Sequence, residues 1–236
     1  MASTGDGISA ENANWSFGGD VPDNFDQHVQ KSVPMYAYGH DLIIKLSDFF
    51  VEKDSNIYDI GCSTGTLLNI LAEHHIKKNI NIYGCDTEKE MVSFAKQNCS
   101  KHKNINILNC SALEVDFQDT GFISSFYTVQ FIHPSVRQDL INKIYNSLKW
   151  GGAFLMFEKV RACDARFQDI CTTLYNDYKF DQGYSANEIY SKTKSLKGVL
   201  EPFSSQGNID MLTRAGFKDT ISVFKYLSFE GFLAIK

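Results

Sequence analysis

The sequence predicts an α/β fold built on a seven-stranded, mostly parallel sheet, and three observations carry that prediction. Short β-rich apolar runs alternate with helical patterns of about ten to fifteen residues across 56–158. The first run, NIYDI (56–60), leads into GCSTG (61–65), where two glycines bracket three small side chains. The second run ends in an acid, Asp86, within YGCDTEKEM (83–91).

Taken in order, residues 1–20 are polar and rich in Gly, Ser and Asn, which predicts a flexible N-terminus ahead of a single domain over 21–236. Leu42, Ile43, Ile44, Leu46, Phe49 and Phe50 recur at helical spacing within 36–51. Strand 56–60 leads to helix 65–76, and strand 80–85 to helix 88–101; strands 105–110 and 122–127 follow. Helix 135–148 is opened by Pro134 and closed by Gly151 and Gly152, and strand 153–158 comes next. Such spacing implies parallel neighbours joined by right-handed crossovers. Residues 160–202 break the rhythm with two amphipathic helices, 163–180 and 186–199, joined by DQGYS. Helix 207–215 and strands 219–225 and 229–235 complete the series. The last two strands are close enough for a hairpin, so the final strand runs antiparallel. This is the class I methyltransferase version of the Rossmann-like sheet, with a helical lid from 21–50 and 160–202 over the carboxyl ends of the strands.

Composition narrows the function classes. A net charge of −5 and a pI near 5.7 argue against a nucleic-acid-binding surface, and only 192–197 has a local density of lysines. No apolar stretch is long enough to span a bilayer, and MASTGDGISAENANW lacks the basic and apolar regions of a signal peptide. Cys62, Cys85, Cys99, Cys110, Cys163 and Cys171 form no C-x-x-C pair, as expected of reduced thiols in a cytoplasmic protein. His74 and His75 point about 100° apart on a helix, so they read as solvated, and no metal is expected.

In an open α/β sheet, ligands bind beyond the carboxyl ends of the strands. Gly61 and Gly65 remove side chains where a ligand approaches the backbone. A dinucleotide fingerprint needs a glycine where Ser63 stands, because pyrophosphate packs against it. S-adenosylmethionine (SAM) carries no phosphate and tolerates the serine. Asp86 is placed to accept hydrogen bonds from both ribose hydroxyls, although a lone Asp there also suits a helix N-cap. Asp59 and Thr87 flank these positions, and Ser111 and Ala112 lie where adenine is expected. Phe126, Gln130 and His133 stand at the mouth. His133 is the candidate general base, or a residue that only packs on Pro134. Glu158 and Lys159 read as an ion pair or lid anchor.

The segments KSVPMYAYGHDLI, YDIGCSTGT, VQFIHPSVRQDLINKIYNSLKWGGAFLMFEK, YNDYKFDQGYSANEI and LTRAGFKD together resemble the carboxy-S-adenosylmethionine synthases, from about Trp15 to Lys236. The resemblance implies a class I methyltransferase fold, conversion of SAM and prephenate to carboxy-SAM, and a homodimer. It implies cofactor contacts at Tyr36, Gly61, Cys62, Ser63 and Asp86. It also marks departures. The family Asp after the third strand is Ser111 here, the Asn after the fourth is Phe126, and the Arg on the cofactor carboxylate falls on Thr193, between Lys192 and Lys194. A hydrogen bond to a charged group contributes about 1.5–3 kcal/mol, so losing the arginine should weaken carboxy-SAM about tenfold or more. The sequence-based expectation is therefore a SAM-dependent methyltransferase acting on a small molecule. Its acceptor pocket would be shaped by Tyr175, Tyr178, Tyr184, Lys192 and Thr193. Carboxy-SAM synthesis using Lys192 or Lys194 is the alternative; a non-catalytic SAM-binding protein and a tRNA-modifying enzyme are further ones.

Overall fold

A two-stranded antiparallel hairpin, β1 (Ala2–Gly5) and β2 (Ile8–Ala10), opens the computed structural model, which describes residues 2–19, 21–118 and 120–236. The described residues of the expected flexible N-terminus thus include regular structure. Ile8 and Trp15 are buried with Val21 and Met91 in a small apolar cluster of their own, so two apolar anchors outweigh the polar composition around them. The tight turn has positive φ at Gly5, Asp6 and Gly7, and a Cβ at Gly5 would run into the Tyr184 ring.

Helices α1 (Val21–Ser32) and α2 (Tyr36–Ser47) precede the sheet. The repeating units are β3 (Asn56–Ile60), α3 (Thr66–His74), β4 (Asn81–Asp86), α4 (Lys89–Asn98) and β5 (Ile105–Asn109). Then come β6 (Thr120–Phe126), α5 (Pro134–Ser147) and β7 (Leu148–Lys159). The chain continues through α6 (Ala165–Asp181), α7 (Ala186–Ser195), α8 (Ser205–Ala215), β8 (Asp219–Tyr226) and β9 (Phe229–Ile235). The sheet order is β5-β4-β3-β6-β7-β9-β8, with β9 antiparallel to both of its neighbours and the strands from β5 to β7 parallel. The seven-stranded Rossmann-like fold is therefore the one the sequence predicts.

Central strands are buried on both faces, which is why NIYDI and TGFISSF read as continuous rather than alternating runs. One core packs Ile43 of α2 and Leu68 and Leu71 of α3 against Ile57, Phe122 and Phe157. The other packs Leu140 and Ile144 of α5 and Leu212 of α8 against Tyr58, Met156 and Phe232. Helix starts follow local chemistry: Ser185 and Glu188 form a reciprocal capping box at α7, and Ser204 caps α8.

Two local expectations fail. His75 is buried rather than solvated, because α3 ends at His74 and the C-terminal end of α2 packs over the next residue; His75 Nε2 lies 2.7 Å from Ser47 Oγ. Of the two readings of Glu158 and Lys159, the ion pair fails, since adjacent strand residues face opposite sides, while Lys159 does meet the lid, at Tyr175 of α6. Among the described residues, no helix is long and apolar enough to cross a membrane.

Candidate active site

The carboxyl ends of β3, β4, β6 and β7 open into a cavity of about 570 Å³, roofed by Trp15, α1, α6 and α7. Its floor is the glycine loop. The Gly61 and Cys62 N–H groups both donate to the Cys85 carbonyl, at 2.8 and 3.0 Å, which ties the loop to β4. Gly61 has φ +72, and a Cβ there would overlap the Thr128 side chain. Ser63 N–H donates to Asp86 Oδ2 at 2.9 Å, while Glu88 N–H donates to Oδ1 at 3.0 Å. Asp86 is not the N-cap of α4, which is Glu88; it bridges the glycine loop to the turn before that helix and lines the cavity. Gly65 does not line it. It has φ +80, and a Cβ there would stand 2.7 Å from Cys99 Sγ, so this glycine is kept for packing α3 against α4.

Asp59 lines the cavity as well and accepts from Ser124 Oγ at 2.7 Å. Burial pushes its carboxyl up to about 7 against that hydrogen bond, and the nearby Asp86 adds to the rise. Burial also raises Asp86, against the backbone donors around it. Among the described residues no cation pairs with either carboxylate. Thr87, Ser111 and Ala112 complete this end. Tyr36 stands beside His40 and Phe126, with ring centroids 4.7–4.9 Å apart. Gly39 allows that corner, since a Cβ there would lie 2.7 Å from the Phe126 ring.

The other end is basic. Lys159 and Lys179 place their ammonium groups 4.4 and 4.5 Å from the centre of the Tyr175 ring, whose hydroxyl donates to the Ser32 carbonyl at 2.7 Å. Burial pushes both lysines down to about 8, with Lys179 and Arg161 also repelling charge on Lys159. Lys192 lies over the Trp15 ring, 3.2 Å from His28 Nε2, and burial followed by repulsion from Lys179 holds it well below the ordinary lysine value. Among the described residues no carboxylate forms an ion pair with Lys159, Lys179 or Lys192.

Several predicted site residues fall outside the cavity. His133 caps α5, its Nδ1 2.7 Å from Ser135 Oγ and accepting the Ser135 N–H, so the candidate base is a helix cap. Tyr178 does not line the cavity; it stacks on Tyr175 at 6.3 Å. Tyr184 is a buttress: its hydroxyl donates to Asp6, which also holds His28 at 2.9 Å and Lys31 at 2.7 Å. Thr193 lines the cavity, but its hydroxyl donates to the Ile189 carbonyl at 2.8 Å within α7. Lys194 does not line the cavity and sits over Tyr190. Sequence reasoning missed His28, His40 and Lys179. The last of these is one lysine on a helix surface, and only docking of the lid turns it inward.

Two unpaired acids at one end and unpaired ammonium groups at the other fit a ligand pair with opposite charges. Residues 57–152 match the family model described as a methyltransferase domain. Carboxy-S-adenosyl-L-methionine synthase from Staphylococcus epidermidis is 36% identical over 94% of this chain and 97% of its own length. The enzyme of that name from Nautilia profundicola is 38% identical, over 94% of each chain. This chain belongs to the carboxy-S-adenosyl-L-methionine synthase family. It is an enzyme of the class I SAM-dependent type. Solved structures agree on the fold. Human N-acetylserotonin methyltransferase in complex with SAM superposes with a TM-score of 0.62 at 17% identity, over 92% of this chain and 56% of that one. An O-methyltransferase family protein from Burkholderia thailandensis gives 0.64 at 13% identity, over 92% and 59%.

Proposed function

We propose that the chain makes carboxy-SAM from SAM and prephenate, the alternative reading of the sequence rather than the methyl transfer ranked first. The observation that carries this reading is the set of Lys159, Lys179 and Lys192, which line one end of the cavity, Lys179 buried and the other two half-buried, without ion-pair partners among the described residues. Buried like charges are costly unless a ligand neutralises them, and prephenate brings two carboxylates. In the proposed reaction, the carboxyl group leaving prephenate forms a carbon–carbon bond to the SAM methyl carbon. The displaced methyl proton leaves with the prephenate hydroxyl group as water, and the aromatised product is phenylpyruvate.

The acidic end suits the cofactor, whose amino and sulfonium groups are cationic and whose ribose is a diol. Asp86 would hold the ribose, and Asp59 with the Gly61–Ser63 loop the methionyl end. Thr87, Ser111 and Ala112 would flank the adenine. Tyr36 and Phe126 would wall the reacting centre. SAM supplies an activated methyl carbon next to sulfur; the chain's own part is to bind, orient and exclude water. Lys192 would take over the charge of the missing arginine as a point charge rather than a planar fork.

One observation favours a second reading, methyl transfer to an anionic small-molecule acceptor. The Thr193 hydroxyl is already committed inside α7, so the arginine's planar grip has no replacement at that position. Incubating the purified protein with SAM and prephenate separates the two. The expected products are carboxy-SAM, identified by mass, and phenylpyruvate. A Lys159→Ala, Lys179→Ala double variant should lose about tenfold or more in kcat/KM. S-adenosylhomocysteine formed with an acceptor, and no carboxylated product with prephenate, would reverse the ranking.

We also propose a homodimer, supported by the apolar outer face of α6, where Phe167, Ile170 and Leu174 are exposed. The six free cysteines fit a reducing, cytoplasmic setting.

A further inference from the structure

The C-terminal ends of α2 and α3 bring Asp48, His74 and His75 together, well away from the cavity, whose lining includes none of them. One ligand atom from each lies within 4.8 Å of the other two. His74 Nε2 is 2.8 Å from Asp48 Oδ1, an ordinary surface hydrogen bond that needs no ion. His75 is different. Its Nδ1 is 4.0 Å from the same oxygen, too far for a hydrogen bond.

The surrounding network assigns its tautomer. Ser47 Oγ donates its only proton to the Ile44 carbonyl at 2.6 Å. At 2.7 Å from His75 Nε2, that oxygen can therefore only accept, so the proton of the neutral ring sits on Nε2. Nδ1 then turns a bare lone pair toward a carboxylate oxygen. Two acceptors facing each other across a gap are reconciled by a cation between them, and a second hydrogen bond that locks the far nitrogen is the usual support of a metal-bound imidazole.

We propose that Asp48, His74 and His75 form a binding site for a borderline divalent transition-metal ion, Zn²⁺ being the probe of choice. Two imidazoles and a carboxylate suit Zn²⁺, Ni²⁺ or Cu²⁺, whereas Mg²⁺ and Ca²⁺ prefer all-oxygen sets. Tetrahedral Zn²⁺ holds its nitrogen and oxygen ligands about 3.4 Å apart, from bond lengths near 2.1 Å. Closing from 4.8 Å thus needs a movement of about 1 Å. Asp48 and His74, with side chains 50% and 34% exposed, are free to make it, while Ser47 keeps His75 in place. The exposed side leaves room for water as a further ligand, and the ion would clip the end of α2 to the end of α3.

The test uses the tag-free full chain, titrated separately with Zn²⁺ and with Co²⁺. One equivalent should bind per chain, with a rise in the thermal midpoint. Bound Co²⁺ should show ligand-field absorption without a sulfur charge-transfer band, which excludes the cysteines. His74→Ala and Asp48→Asn, both at exposed positions, should each weaken binding about tenfold or more and cancel the thermal gain. SAM affinity should not change in either variant. No saturable binding, a sulfur band, or affinity unchanged in both variants would overturn the proposal.

Discussion

Asp59 and Lys159 occupy opposite ends of one cavity, and desolvation drives both toward neutrality, to about 7 and about 8. In the proposed reaction each end meets a ligand of opposite charge, so the two titrations bracket a narrow working range. Affinity for SAM should decline as pH falls through about 7 and Asp59 gains a proton. Affinity for the anionic partner should decline as pH rises through about 8 and Lys159 and Lys179 lose theirs. The kcat/KM profile is then a narrow bell. Asp59→Asn should flatten the acid limb and weaken SAM about tenfold, and a profile with an unchanged acid limb would remove Asp59 from this role. Stability runs the opposite way. The folded-state value of Asp59 lies above its ordinary 3.8, so its contribution is fully present below 3.8 and is lost as pH rises through about 7. The ligand-free protein therefore gains stability where it loses SAM. At this scale the sequence was only partly legible. Asp86 and the glycine loop are read from adjacent letters, but His133 and Lys179 differ by where a backbone carries them: one ends up capping a helix, the other under a lid.

Secondary-structure elements were the most legible level, because their signals are local. Pro134 opens α5 and Ser185 with Glu188 opens α7, as their chemistry requires. The hairpin of β1 and β2 escaped notice because its strands are short and polar, and what secures them is Ile8 and Trp15 meeting distant residues. The helix α6 shows the converse. Its sequence is amphipathic, yet Lys179 is its only buried residue, and Phe167, Ile170 and Leu174 remain outside. Those three recur at i, i+3 and i+7, one face of a helix. If a second copy covers that face, the protein sediments as a dimer, and Ile170→Glu with Leu174→Glu yields a folded monomer. A wild-type chain that is monomeric at micromolar concentration would dismiss the interface.

At the scale of the molecule, the mostly parallel sheet with its antiparallel last strand followed from the alternation of strands and helices, whereas the cavity did not, since its walls run from Trp15 to Phe229. No window of sequence displays a site assembled from that span. The roof is fastened through Asp6, whose carboxylate joins Tyr184, His28 and Lys31 across three segments of chain. Asp6→Ala should cost about 1–3 kcal/mol of stability, measured by denaturant unfolding, and speed release of both ligands. Unaltered stability and release rates would show that the hairpin is not a fastening. The order of synthesis adds a constraint of its own. Strand β9 leaves the ribosome after β8 but belongs between β8 and β7. Until it emerges, β7 presents an open edge to the crowded cell, β8 has no neighbour, and the wall carrying Phe229 is missing. A chain stalled short of β9 would therefore be a sticky, inactive fragment, however complete its glycine loop.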